Sequence, residues 1–517
     1  MSEEAVNIPG FPRPSEPVSR RDGGVRPARF RIAFAKRGSL PICAVVSLLP
    51  LLAGCGQDES GPIAVGAIGG PPALVNPNLV PLDPPKALMA ETAAQGLVRF
   101  EASGQIQPAL AQRWIVSNDG LRYTFRLAPS RWSGGGGITA AQVAGRLRAA
   151  MRPTSRNRLK PLLGAIDEIE AMTDDVLEIS LRAPRPRFLD LLAQPEMAIM
   201  HNGQGSGPFR GIEQADGSIM LTRLPPDDGE DAPPVPKILL RGQRAALAVA
   251  LFRSHHLDLV TGGTAGDLPI ARAAVAAAST LRFDPVGGLF GLRFTSVAGP
   301  LADPHVRDAL SMAIDRASLV AALDVPNLQP RESILPVGIQ ELPAPAQPAW
   351  QGLPLQQRRA AAARTIANLT GPKPLPLRVA VPRGPGYRLV FALLRSSWRT
   401  IGVEPQAVGP EAPADLRLID EMAPVGMASW YLRSFACAAS AVCSADADRA
   451  MDAARIAPSA RERRESLASA DAILRDTIAF IPLTAPVRWS LVARRLTGFQ
   501  PNVFAYHAPD GLIADAR

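Results

Sequence analysis

The chain offers few residues of the types and spacings that chemistry needs. Its four cysteines are Cys43, Cys55, Cys437 and Cys443. The first two lie within and at the end of an apolar run, and the last two are separated by five residues. Its five histidines, His201, His255, His256, His305 and His507, are scattered. His255 and His256 are adjacent and would point apart on a regular element, so they cannot chelate as i, i+4 pairs do. No Gly-x-Ser-x-Gly elbow stands between a strand and a helix, and no Cys/His or His-Glu-x-x-His arrangement is present. The glycine-rich segment from Gly203 to Phe209 lacks the strand–loop–helix setting of a phosphate loop. No metal, no cofactor and no enzymatic activity is expected. What remains is thiol chemistry and the non-covalent holding of a ligand.

The charge balance points away from nucleic acid. The 517 residues carry a formal net charge of +9, but residues 1–54 hold eight Lys/Arg and four Asp/Glu, which leaves +5 on the other 463. So thin a balance over so long a chain is no electrostatic footprint. Aromatic residues are 5% of the chain, and no basic run interleaves with them, which argues against stacking platforms for single strands. A composition 47% hydrophobic and 20% charged is globular. The length exceeds one ordinary core and predicts two or three lobes.

The first 54 residues read as an export segment. Arg29, Arg31, Lys36 and Arg37 form a basic region, Gly38 to Gln57 carries no charge, and Leu40 to Leu52 is an apolar core broken by Pro41 and Pro50. That run is shorter than the 18 or more residues that span a bilayer. It ends Leu52-Ala53-Gly54-Cys55, which resembles the lipobox of bacterial lipoproteins. The resemblance implies cleavage after Gly54 and a thioether-linked diacylglycerol on Cys55, whose two chains would hold the protein at a membrane surface. Cys43 would leave with the export segment. Cys437 and Cys443 would then face an oxidising compartment, where a small-loop disulfide between them is the expected state.

The remaining chain alternates strand and helix signals. Asn118-Asp119-Gly120 is a hairpin-type turn, and Leu121 to Leu127 alternates apolar and polar residues as a half-buried strand does. Thr139 and Gln142 form a capping box before a helix carrying Val143 and Leu147 on one face. Val176 to Leu181 and His256 to Val260 read as strands, and Ala245 to Phe252 as a helix. Asp303-Pro304 opens a helix whose apolar positions are Val306, Ala309, Leu310, Ala313 and Ile314. Two further amphipathic helices run from Val390 to Ile401 and from Leu467 to Ile478. Strands separated by helices over most of the length predict a mixed α/β (α+β) protein.

These pieces, in this order, resemble the extracytoplasmic solute-binding proteins of ABC importers, the family of dipeptide-, oligopeptide- and nickel-binding proteins. The resemblance is carried by Pro108-Ala-Leu-Ala-Gln-Arg-Trp114 with Asp119-Gly-Leu-Arg-Tyr-Thr-Phe-Arg-Leu127, by Trp132 to Val143, and by Gly205-Ser-Gly-Pro-Phe209. It continues through Val306-Arg-Asp-Ala-Leu-Ser-Met-Ala-Ile-Asp-Arg316 and Ile481-Pro482-Leu483. It implies a two-lobed periplasmic-binding-protein-like fold with a hinge and an extra subdomain. The corresponding boundaries are a signal peptide over 1–54, a lipidated tether and linker over 55–86 and a first lobe with subdomain over 87–290. A second lobe follows over 291–482, and the chain returns to the first over 483–517.

The resemblance also implies a monomeric receptor in the periplasm or cell envelope. Its partners would be a peptide or other small solute in the interlobe cleft and an ABC permease in the inner membrane. In peptide-binding members a tryptophan and an Asp-Tyr-x-Asp-Pro segment follow a strand like Asp415-Leu-Arg-Leu418. Here Ile419-Asp420-Glu421-Met422 follows, so Asp420 and Glu421 become the candidate ligand carboxylates, set against a reading as solvated loop charges. Trp430 and Tyr431 are candidate cleft aromatics, set against core packing. Arg293 is a candidate cleft cation, set against solvent exposure. Asp315 and Arg316 read as a local ion pair. Alternative readings are a ligand sensor or scaffold that keeps the binding fold without transport, and a surface hydrolase.

Overall fold

Six residues that read as linker, Ile63–Ile68, build the centre of the first lobe. In the structure, a computed structural model describing residues 61–224, 236–274, 279–371 and 373–512, this strand pairs in parallel with Ile238–Gln243 on one side and Leu259–Thr264 on the other. Val65 and Ala67 are fully buried. The expected tether over 55–86 is thus corrected, since it also carries the start of the helix Pro84–Thr92 and its cap Asp83. The run was hard to see because a parallel strand buried on both faces lacks alternation, and this one lies between Gly61-Pro62 and Gly69-Gly70-Pro71-Pro72. Cys55 and the export segment lie outside the described residues.

The seven-stranded sheet has the order Phe209–Glu213, Ile219–Arg223, Ile238–Gln243, Ile63–Ile68, Leu259–Thr264, Arg488–Val492, Leu281–Asp284. The second lobe is a five-stranded sheet in the order Val403–Val408, Leu375–Ala380, Leu416–Met422, Gly288–Phe294, Phe480–Thr484. The chain passes from the first sheet to the second across residues 285–287 and returns across 485–487. Two connectors of three residues side by side are a hinge by construction.

An antiparallel four-stranded sheet forms the extra subdomain, in the order Ala111–Val116, Arg122–Leu127, Val176–Leu181, Ile166–Ala171. Phe125, Leu177 and Ile179 are fully buried in its core. Both expected caps are formed. Thr139 accepts from the Gln142 amide while Gln142 reaches back to Thr139, and the Asp303 carboxylate accepts from His305 N at 2.8 Å. All five apolar positions after Asp303 are buried.

Two local expectations are corrected. The strand expected over 256–260 begins later, at Leu259, because His255 takes a left-handed turn (φ 58°) after the preceding helix. Asp315 and Arg316 do not form a pair. Asp315 caps the helix Arg316–Leu323 through Ser318, while Arg316, 2% exposed, donates to the carbonyls of Pro482 and Ser311 and to the Ser311 hydroxyl. Burial pulls the Arg316 guanidinium down to about 10. Among the described residues no helix is long and apolar enough to cross a membrane.

Candidate functional site

Strand Leu259–Thr264 meets the returning strand Arg488–Val492 at an irregularity between Val260 and Gly263. There Trp489 lies flat against the backbone. A Cβ on Gly263 would fall 2.1 Å from the Trp489 ring. The neighbouring Gly262 has φ +80°, a conformation that favours glycine. Trp489, 1% exposed, donates its indole N–H to the Thr264 carbonyl at 2.8 Å. This buried wall forms one side of a cavity of about 610 Å³, within the range of small-ligand sites.

The cavity takes lining from both sheets. The first lobe supplies Pro84, Glu91, Thr261, Asp284, Arg488 and Trp489; the second supplies Asp420, Glu421, Met422 and Trp430; the terminal segment adds Tyr506 and His507. Most charges on the wall are matched. Asp284 accepts from Asn502 N at 3.0 Å and lies 3.1 Å from His507 Nε2, both side chains 2% exposed. Glu196 pairs with Arg158, which also donates to the Tyr506 hydroxyl at 3.2 Å. Burial first, and the Glu196 charge next, push the Tyr506 phenol up, so it stays protonated.

Asp420, like Asp284, is bonded on both oxygens. It sits on Leu416–Met422, so it is a strand residue and not a solvated loop charge, and its side chain is 4% exposed. Oδ1 accepts from Arg488 at 2.7 Å and Oδ2 from the Tyr387 hydroxyl at 2.7 Å. Burial, then the Asp420 charge, drive the Tyr387 phenol well above its ordinary value, which fixes it as the donor. A carboxylate bonded on both oxygens has little left for a ligand.

The other candidates divide. Glu421 lines the cavity with its side chain 45% exposed, and Arg293 stands 3.8 Å from it. Arg293 is outside the cavity lining and lies half-buried, its guanidinium 5.6 Å from the Phe435 ring centre. Trp430 lines the cavity, while Tyr431, edge-on to it at 4.9 Å, is 1% exposed in the core. Cys437 and Cys443 are joined as a disulfide with Cα atoms 5.0 Å apart. Arg488, Tyr387, Arg158, Glu196, Tyr506 and the Asp284–His507 pair were not anticipated from sequence. No local pattern marks them, since each gains its partner from a distant segment. Among the described residues no group of three or more His, Cys, Asp or Glu is gathered to hold a metal ion.

The family model for bacterial extracellular solute-binding proteins, family 5, matches residues 105–436. The chain belongs to this family.

Among family relatives it resembles the oligopeptide-binding protein OppA of Bacillus subtilis, 25% identical over 44% of this chain and 48% of that protein. It also resembles the nickel-binding periplasmic protein of Escherichia coli, 31% identical over 23% and 24%. The matches thus span about half, or about a quarter, of the length of these relatives. Solved structures extend the likeness over nearly the whole fold. The E. coli murein tripeptide-binding protein MppA superposes with TM-score 0.73, 18% identity and coverage of 88% of this chain and 97% of that one. Haemophilus influenzae OppA, in complex with a peptide, gives 0.72, 18%, 87% and 97%. At such identities the superpositions establish the fold alone.

Proposed function

We propose that this chain is a membrane-anchored extracytoplasmic receptor that closes its two lobes on a peptide or a related small amine-bearing solute and delivers it to an ABC permease. The observation that carries the reading is the cavity of about 610 Å³, lined from both lobes beside the two connectors. Water excluded from such a cleft strengthens each polar contact inside it. Relatives named as binding oligopeptides and dipeptides support the ligand class, and a periplasmic relative supports the compartment. The anchor would be the lipidated Cys55, and the protein would act as a monomer.

In this reading Glu421, not Asp420, takes the ligand's ammonium group. Glu421 is the half-exposed carboxylate on the second-lobe wall, whereas Asp420 is saturated by Arg488 and Tyr387. Trp430 would supply an apolar face for the ligand's side chains.

The test is calorimetry with tri-alanine and N-acetyl-tri-alanine. Tri-alanine should bind, and both acetylation and Glu421→Gln should weaken it ten- to hundredfold, as expected for loss of a hydrogen bond to a charged group of about 1.5–3 kcal/mol. Absence of binding by any di- to hexapeptide would sink the peptide reading. A Cys55→Ser variant that stayed with membranes would contradict the anchor.

A further inference from the structure

Beside the cleft lies a second hollow of about 570 Å³ whose two walls come from different parts of the fold. One wall is the segment after the subdomain helix Ala140–Met151 and carries Arg156, Arg158 and Lys160. The other belongs to the second lobe and carries Arg433, Arg455 and Asp452. Five cations therefore face a single carboxylate. Asp452 is shared, its Oδ1 lying 3.3 Å from Arg433 and 3.7 Å from Arg455. The Lys160 ammonium bonds to the carbonyls of Pro153 and Ser155, which carry no net charge.

Glu196 offsets Arg158, but the remaining excess is not cancelled from beneath. Arg185, 6% exposed, lies behind the hollow and donates to the carbonyls of Pro184 and Arg455. Burial first, then the nearby Arg463 charge, pull its guanidinium down to about 10, with Arg433 and Arg455 adding to the effect and Glu341 opposing it. Glu341 is itself engaged by Arg463 at 2.5 Å. Such a crowd of guanidiniums is held together at a cost unless an anion joins it.

Arg158 connects this hollow to the cleft, because it lines both. Glu196 and Tyr506 hold it in that position.

We propose that the hollow is an oxyanion subsite adjoining the cleft, and that the preferred solute carries a carboxylate or phosphate group beyond the amine and the terminal carboxylate of a simple peptide. This rests on the solute-receptor reading above. Because the two walls belong to the subdomain and to the second lobe, a bound oxyanion would also tie these parts together and favour the closed form.

The experiment is calorimetry on the full chain at low salt, with tri-alanine, tri-glutamate and inorganic pyrophosphate as probes. It compares the native protein with the double variant Arg156→Gln/Arg455→Gln, which changes two side chains at the surface of the hollow. Tri-glutamate should bind at least tenfold more tightly than tri-alanine, and the double variant should erase that difference while tri-alanine affinity stays the same. Pyrophosphate should compete with tri-glutamate more strongly than with tri-alanine. Equal affinity for the two peptides, or a preference that survives the double variant, overturns the proposal. Pyrophosphate binding alongside equal binding of the two peptides would mean a free-anion site separate from the solute, which also overturns it. If neither peptide binds but pyrophosphate does, and the double variant removes it, the peptide reading falls while the anion site stands. If pyrophosphate fails as well, both fall.

Discussion

Asp420 and Asp471 are two buried carboxylates with opposite situations. Asp420 has a cation and a phenol on its two oxygens. Removing Arg488 would leave it buried and uncompensated, at a cost of about 3–5 kcal/mol. Arg488→Met should therefore lower the urea midpoint sharply, and adding Asp420→Asn to it should restore much of the loss. An additive double variant would show that the pair is not coupled. Asp471, 1% exposed, accepts one bond at 2.6 Å from Ala346 N and leaves Oδ1 without a hydrogen bond. Burial raises its carboxyl to about 6, against the opposing effects of the Ala346 bond and Arg475. With the folded value above the unfolded one, the folded state holds the proton more tightly. Stability from this group is then full below about pH 4 and is lost as pH rises through 6. Asp471→Asn should stabilise the protein by about 2–3 kcal/mol at pH 8 and change little near pH 4. Urea midpoints at the two pH values check this, and an equal gain at both would show that charge is not the cause.

Helices were legible where their signals are local. The capping box at Thr139 and the aspartate cap at Asp303 are each written within a few residues, and the structure forms both. Thr139→Ala should cost about 1 kcal/mol, because the helix Ala140–Met151 loses a partner for one of its first amides. Its far-ultraviolet signal at low temperature should change little, since the helix is held mainly by Val143, Ala144 and Leu147 in the subdomain core. Strands fared less well. Arg122–Leu127 alternates and was readable, with Tyr123, Phe125 and Leu127 buried. Ile63–Ile68 was not, because burial on both faces removes the period that a half-buried strand shows. Asp420 was misjudged for a related reason, as its strand runs on to Met422 past the apolar residues that announce it.

At the scale of the molecule, the two connectors at 285–287 and 485–487 allow the sheets to rotate about one line. The Arg488–Asp420 bond crosses between the sheets beside them. A ligand that bridges the cleft should shift the protein toward the closed arrangement and stabilise the folded chain by about 2.7 kcal/mol at a hundredfold excess over Kd. Small-angle scattering should show a smaller radius of gyration on adding tri-glutamate than without it. An unchanged radius with saturated binding would rule out closure by this ligand.

By itself the sequence determined the family, the fold class and the helices with strong local signals, because caps, amphipathic faces and short motifs are properties of neighbouring residues. The tertiary structure alone decided which charges are available to a ligand. Asp420 meets Tyr387 across 33 residues and Arg488 across 68, and Asp284 meets His507 across 223. The Arg488 and His507 pairings exist because the chain leaves the first sheet and returns to it, and the Tyr387 pairing because a helix packs against its own sheet. Whether a carboxylate is saturated or open depends on which partners that return brings within hydrogen-bond distance, and no local pattern encodes it.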